Sequence, residues 1–226
     1  MAALLVVAGV VGLVSGPSQG QIALQTAAQQ TAAAPDFSFW SSIEVSLPGH
    51  RDTALGVRSA GVWDSPGRWR VTNTHDGATS VTTGDGSVMR VLGSGGPALT
   101  FELPSDALSA FSNPDSPVLL LPPLGVLDAA THVTRHGDVY DFEVPRLVLA
   151  NGWVAYAPLT RSPLQLPLIV ERDVGAQAVI SGGFVTALSF PSGIVTGRRG
   201  VTEVASWHIS AIGGGVSEAV GGSAPR

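Results

Sequence analysis

Between Phe37 and Leu47 the chain holds Phe37, Phe39, Ile43, Val45 and Leu47 at odd positions with Ser41, and polar residues at the even ones, where only Trp40 breaks the set. Successive side chains of a strand point to opposite sides of the pleat, so this alternation specifies a strand with one buried and one wet face. A helix would group its apolar residues three and four apart instead. Further strands are read at Leu55–Trp63, Arg68–Asn73, Thr79–Thr83, Val88–Leu92 and Leu99–Leu103. They are separated by Ser65-Pro66-Gly67, Asp76-Gly77, Gly84-Asp85-Gly86 and Gly93-Ser94-Gly95-Gly96. Asp-Gly and Gly-rich pairs supply the positive φ that tight antiparallel turns demand, so neighbouring strands are expected to pair in sequence order.

A second β run is read at Val139–Val144, Val148–Ala150, Trp153–Ala157, Leu166–Arg172, Gln177–Ser181, Phe184–Phe190 and Val201–Ile209. Tyr140, Phe142 and Val144 alternate with Val139, Asp141 and Glu143, and Phe184, Leu188 and Phe190 are assigned one face of a later strand. Between the two runs, Asp106–Phe111 has helical character with Ser105 or Asp106 as its cap. The apolar, proline-interrupted segment Val118–Leu127 reads equally as a lid over a sheet face and as a buried connector.

At 226 residues the chain suffices for one well-filled core, and β sandwiches or barrels of this size form one domain. Hydrophobic residues make up 44%, charged residues 13%, and mean hydropathy is +0.30, which excludes a disordered chain. With a net charge of −5 and no basic cluster larger than Arg198-Arg199, the chain lacks the electrostatic footprint of a nucleic-acid binder. The absence of Cys excludes disulfides, thiolate metal sites, a Cys nucleophile and lipid attachment to Cys.

Met1 to Val14 is an uninterrupted Ala, Leu, Val and Gly run, the length of a signal h-region and short for a spanning helix. Residues 1–16 are therefore expected to be a signal peptide or N-terminal membrane anchor, with a buried N-terminal element as the alternative. No basic residues precede the run and no clean small-x-small cleavage site follows it, the pattern of a truncated start. Residues 17–36, uncharged up to Pro35 and rich in Gln and Ala, read as a flexible linker, 37–213 as the folded β domain, and 214–226 as a disordered tail.

Catalytic and metal motifs are weak. Of five His residues, only His132 and His136 have ligand-like spacing, and on a strand and turn they lie too far apart to share a metal. Gly16-Pro17-Ser18-Gln19-Gly20 matches the G-x-S-x-G nucleophile elbow formally, but in a spacer it lacks the strand and helix that elbow requires. The carboxylate pairs Asp141/Glu143 and Glu171/Asp173 sit two apart on one strand face, where solvent-facing charges keep a sheet soluble. No metal, cofactor or catalytic residue is assigned. The aromatics Trp40, Trp63, Trp69, Trp153, Trp207, Phe101, Phe142, Phe184 and Phe190 serve ordinary packing or line an apolar cavity, where each buried methylene contributes about 0.8 kcal/mol.

Several segments carry a resemblance. Gly61-Val62-Trp63-Asp64-Ser65-Pro66-Gly67-Arg68-Trp69-Arg70, the Thr83-Gly84-Asp85-Gly86 hairpin, Asp138-Val139-Tyr140-Asp141-Phe142, Gly182 to Ser189 and Ser206 to Gly213 resemble the LolA/LppX-type superfamily of periplasmic lipoprotein and lipid carriers, particularly its actinobacterial members. The resemblance implies a mainly β (α+β) fold: a curved antiparallel half-barrel sheet, with one or two short helices packed in or over its concave face. It also implies an apolar cavity for acyl chains, for which Phe39, Val45, Trp63, Trp69, Phe101, Leu120, Leu124, Leu127, Phe142, Leu188 and Trp207 are the candidate lining. The sequence departs from many such relatives at Leu13-Val14-Ser15-Gly16, which has the small residues of a lipobox but no Cys. The expected protein is a monomeric, non-enzymatic, extracytoplasmic carrier or sensor of lipids or acylated molecules. A membrane protein is a further partner of the sensor form. The alternatives are a cell-surface interaction module with a filled core, and a secreted hydrolase.

Overall fold

The computed structural model describes residues 16–47, 50–64, 68–85, 88–93, 96–102, 122–146, 172–196 and 201–214. The alternating segment forms strand β1 (Asp36–Leu47), followed by β2 (His50–Asp64), β3 (Arg68–His75), β4 (Ala78–Asp85), β5 (Val88–Gly93) and β6 (Leu99–Glu102). Each pairs antiparallel with the next, the meander expected from the turn chemistry. At the β3–β4 turn Asp76 and Gly77 have φ of 47° and 78°, the paired positive values of a type I′ hairpin.

A second meander runs through β7 (Thr131–His136), β8 (Val139–Val144), β9 (Val174–Ser181), β10 (Phe184–Thr196) and β11 (Val201–Ser210). The two meanders meet where β11 pairs antiparallel with β1, giving one sheet of eleven described strands in the order β6-β5-β4-β3-β2-β1-β11-β10-β9-β8-β7. The sheet is open and curved and does not close into a barrel, the half-barrel architecture that the resemblance implies.

Residues 17–36 differ from the expected linker. Gln19–Ala32 forms helix α1, whose Ser18 Oγ accepts the Gln21 N–H at 3.2 Å as an N-cap. Its uncharged, Ala-rich sequence has high helix propensity. Leu24, Ala27, Ala28 and Thr31, spaced three and four apart, form its buried face. The Thr31 hydroxyl donates to Ala27 O at 2.7 Å and accepts the Val185 N–H of β10 at 2.8 Å. At mid-helix the Gln25 side chain donates to Asp128 O at 2.9 Å, just beyond the 3-10 turn Leu124–Leu127. The helix thus joins the core, and the formal nucleophile Ser18 is a helix cap. Among the described residues no helix is long and apolar enough to cross a membrane.

The sheet faces are set by parity until a bulge interrupts it. On β10 the register shifts between Val185 and Ala187, so Val185, Leu188 and Phe190 are buried on one side while Phe184 is only partly buried. Phe184 therefore leaves the face it was assigned with Leu188 and Phe190, because an extra residue in one strand inverts everything before it. A second irregularity follows between Phe190 and Ile194, where Pro191, which has no N–H to offer a ladder, is accommodated. The expected strands at Val148–Ala150 and Trp153–Ala157, most of Leu166–Arg172, the helix at Asp106–Phe111 and residues 1–15 and 215–226 lie outside the described residues.

Thr31→Val keeps the size of the side chain but leaves the buried Val185 N–H without its acceptor. The expected loss is about 1–3 kcal/mol of unfolding free energy, read as a lower urea midpoint with an unchanged slope. An unchanged midpoint would show that α1 does not depend on this bond.

Candidate functional site: the apolar inner face

One side of the sheet, here the inner face, carries the buried rows that register places across it. Phe37 of β1 pairs with Trp63 of β2, which pairs with Trp69 of β3, which pairs with Gly84 of β4. The next row runs Ile209, Phe39, Gly61, Val71 and Thr82. A third runs Ser59, Ser41, Trp207, Leu188, Ala178 and Tyr140. All these positions are buried. The rows combine large with small residues: the Phe39 ring lies over Gly61 and the Trp69 indole over Gly84, where a methyl group would overlap each ring. Phe142 pairs with Ala176, and Ala205 pairs with both Ile43 and Phe190. Phe37 stacks on Trp63 with centroids 6.2 Å apart, and Phe190 meets Trp207 edge to face at 6.1 Å.

The helix and the 3-10 turn cover the inner face toward the second meander. Leu124 and Leu127 of the Val118–Leu127 insert are fully buried, in contact with α1. This described part of the insert is core, whereas Val118–Leu121 lies outside the described residues.

Of the expected lining residues, Phe39, Trp63, Trp69, Leu124, Leu127, Phe142, Leu188 and Trp207 all belong to this one hydrophobic cluster. Val45 and Phe101 occupy register positions on β1 and β6, paired with Leu55 and Met89, but their side chains are outside the described set. Leu120 also lies outside it. Phe37, Ile43, Phe190 and Ile209 join the face although they are not among the eleven expected lining residues; the β1 alternation and the late aromatic strand carry the signal of the first three. Leu24 and Ala27 of α1 were hidden by the mild hydrophobicity of an Ala/Gln segment.

On β8 the carboxylates Asp141 and Glu143 lie on the outer face, on the side away from Tyr140 and Phe142. His132 Nδ1 lies 3.0 Å from Glu143 Oε2 and His136 Nε2 lies 3.8 Å from Asp141 Oδ2, so each His faces a carboxylate across the β7–β8 pair. The His132–Asp138 segment is strand β7 plus the turn to β8, the strand and turn expected from the sequence. Among the described residues no group of three or more His, Asp or Glu converges as metal ligands would. On the same outer side Trp40 stacks on His208 with centroids 3.9 Å apart and remains 51% exposed.

No family model matches the sequence, and no curated protein matches it. Among solved structures the chain is similar to LprF from Mycobacterium bovis, at 10% identity and a TM-score of 0.46, over 88% of this chain and 95% of that one. It is similar to lipoprotein LppX from Mycobacterium tuberculosis at 10% identity and a TM-score of 0.45, over 86% and 95%. A LolA superfamily protein from Nitrosomonas europaea aligns at 11% identity and a TM-score of 0.36, over 86% and 92%.

The ring-over-glycine packing gives a direct check on the inner face. Gly61→Ala is expected to lose about 1–3 kcal/mol of stability by overpacking Phe39. Gly56→Ala on the same strand, with nothing within 4 Å of the added methyl, should change stability by no more than about 0.5 kcal/mol. Equal effects in denaturant unfolding would contradict the assignment of faces.

Proposed function

We propose that this chain is an extracytoplasmic, non-enzymatic carrier or sensor of lipids or lipidated molecules, which holds acyl chains against the inner face of the sheet. The observation that carries this reading is the one-sided apolar face, continuous across rows from β4 to β8 in a sheet that does not close. Among the described residues one helix and one 3-10 turn lie against this face, toward the second meander. An acyl chain suits such a surface because each methylene contributes about 0.8 kcal/mol on burial and needs no directional partner. The apolar run Met1–Val14 supports an extracytoplasmic location.

A second reading has an observation of its own. Phe142, Leu188 and Trp207 are only 3%, 0% and 0% exposed, so the face is filled by side chains in this conformation. A face filled at all times would favour an interaction module that docks on a partner protein. The carrier reading requires instead that an acyl chain displace what covers these residues.

Gentle purification of the full chain from a membrane-containing host, followed by native mass spectrometry, separates the two readings. The carrier reading predicts protein carrying a bound lipid that organic extraction releases. Recovery of only ligand-free protein, together with failure to take up acyl chains from added vesicles, would overturn it in favour of the filled interaction module.

A further inference from the structure

The inner face has an interruption that its own hydrogen bonds do not resolve. Ser41 of β1 and Trp207 of β11 are register partners near the middle of the sheet, 1% and 0% exposed. Neither Ser41 Oγ nor Trp207 Nε1 has a hydrogen-bond partner. The comparison with Ser59 is instructive: it pairs with Ser41 from the other side, on β2, and its hydroxyl donates to Asn73 Oδ1 at 2.7 Å. Buried polar groups are almost always paired, and those left unpaired in a native structure point to a missing partner. Directly opposed residues of an antiparallel pair have Cβ atoms about 4.5–5.5 Å apart, so the two side chains leave the inner face side by side. Among the described residues Phe39 and Ile43 stand along β1 and Leu188 and Phe190 on β10, and the Ser59 hydroxyl across from Ser41 can accept but is bonded to neither donor.

We propose that Ser41 and Trp207 form a polar anchor for the carbonyl oxygen of an acyl ester, with the indole Nε1–H and the Ser41 hydroxyl both donating to it. The inference rests on the carrier reading and names the chemical class of its ligand. A carbonyl oxygen has two lone pairs and accepts both bonds. The pair favours an ester over a free fatty acid, because the buried polar side chains among the described residues, Thr31, Ser41, Ser59 and Thr82, include no cation to balance a carboxylate. It favours an ester over an amide, because an amide brings an N–H that would need an acceptor of its own. Trp63 Nε1 is likewise buried without a partner, but it sits opposite Phe37, four positions along β1 from Ser41, and is not part of this anchor.

The test compares dipalmitoyl phosphatidylcholine with its dihexadecyl ether counterpart, which has the same headgroup and near-equal chains but no carbonyl. Both compete with hexadecylpyrene, a fluorescent hydrocarbon without oxygen, for the full chain. The expected result is a roughly tenfold preference for the ester, the range of one to two net hydrogen bonds. Ser41→Ala, which removes only the hydroxyl, should lose a large part of that preference while leaving the ether's affinity unchanged. Trp207→Phe, checked for folding by circular dichroism, should lose a further part. Equal binding of ester and ether, as expected if a buried water satisfies both donors, would overturn the anchor and leave the carrier reading standing. Failure of hexadecylpyrene and both lipids to bind would overturn the carrier reading itself.

Discussion

Ser38 through Ser46 of β1 are hydrogen-bonded along β11, and the other edge of the same strand is hydrogen-bonded along β2. Every other described strand reaches the centre only through these two neighbours. The pairing joins segments more than 150 residues apart in sequence, and it gives the two meanders a common inner face. The parity of β1 decides which side that is: with Phe37, Phe39, Ser41 and Ile43 inward, register carries Trp63 and Gly61 inward on β2 and Ala205, Trp207 and Ile209 inward on β11. A slip of one residue on β1 would turn the aromatics outward and bring Trp40 and Glu44 in. Closing so long a loop costs chain entropy before the pairing rewards it.

Strands with one dry face are legible in sequence because pleating imposes a period of two, and β1 to β6, β8, β10 and β11 follow from that period and from the Gly-rich turns. The same signal was faint in β7, where only Val133 is apolar among Thr131, His132, Thr134, Arg135 and His136. Helix α1 was missed for a related reason: Leu24, Ala27, Ala28 and Thr31 carry the helical spacing, but three small or polar residues in four weaken it. Ser18 before an Ala-rich run and Pro35 after it are the cap and stop that mark the helix. The bulge in β10 was invisible because parity is local, and only the partner strand shows where it breaks.

The inner face was more legible than its chemistry. Aromatics and branched residues at alternating positions announce burial, and eight of the eleven expected lining residues fall into one cluster. The small residues opposite them do not announce themselves, yet Gly61, Gly84, Ala176 and Ala205 determine how the large rings lie. Ser41 is less legible still. In sequence it is one more serine in a Ser-rich strand; its distinction comes from standing opposite Trp207, a consequence of the β1–β11 register.

The central claim is that acyl chains lie on the inner face and not on the exposed outer aromatics. Two-dimensional NMR of the wild-type protein with nitrogen-15-labelled tryptophan resolves the indole groups, and a nitroxide placed along the chain of an added phosphatidylcholine broadens those near it. The account predicts that the Trp207 and Trp63 indole signals broaden while that of Trp40, on the outer face beside His208, stays sharp. Broadening of Trp40 with Trp207 and Trp63 unaffected would contradict it.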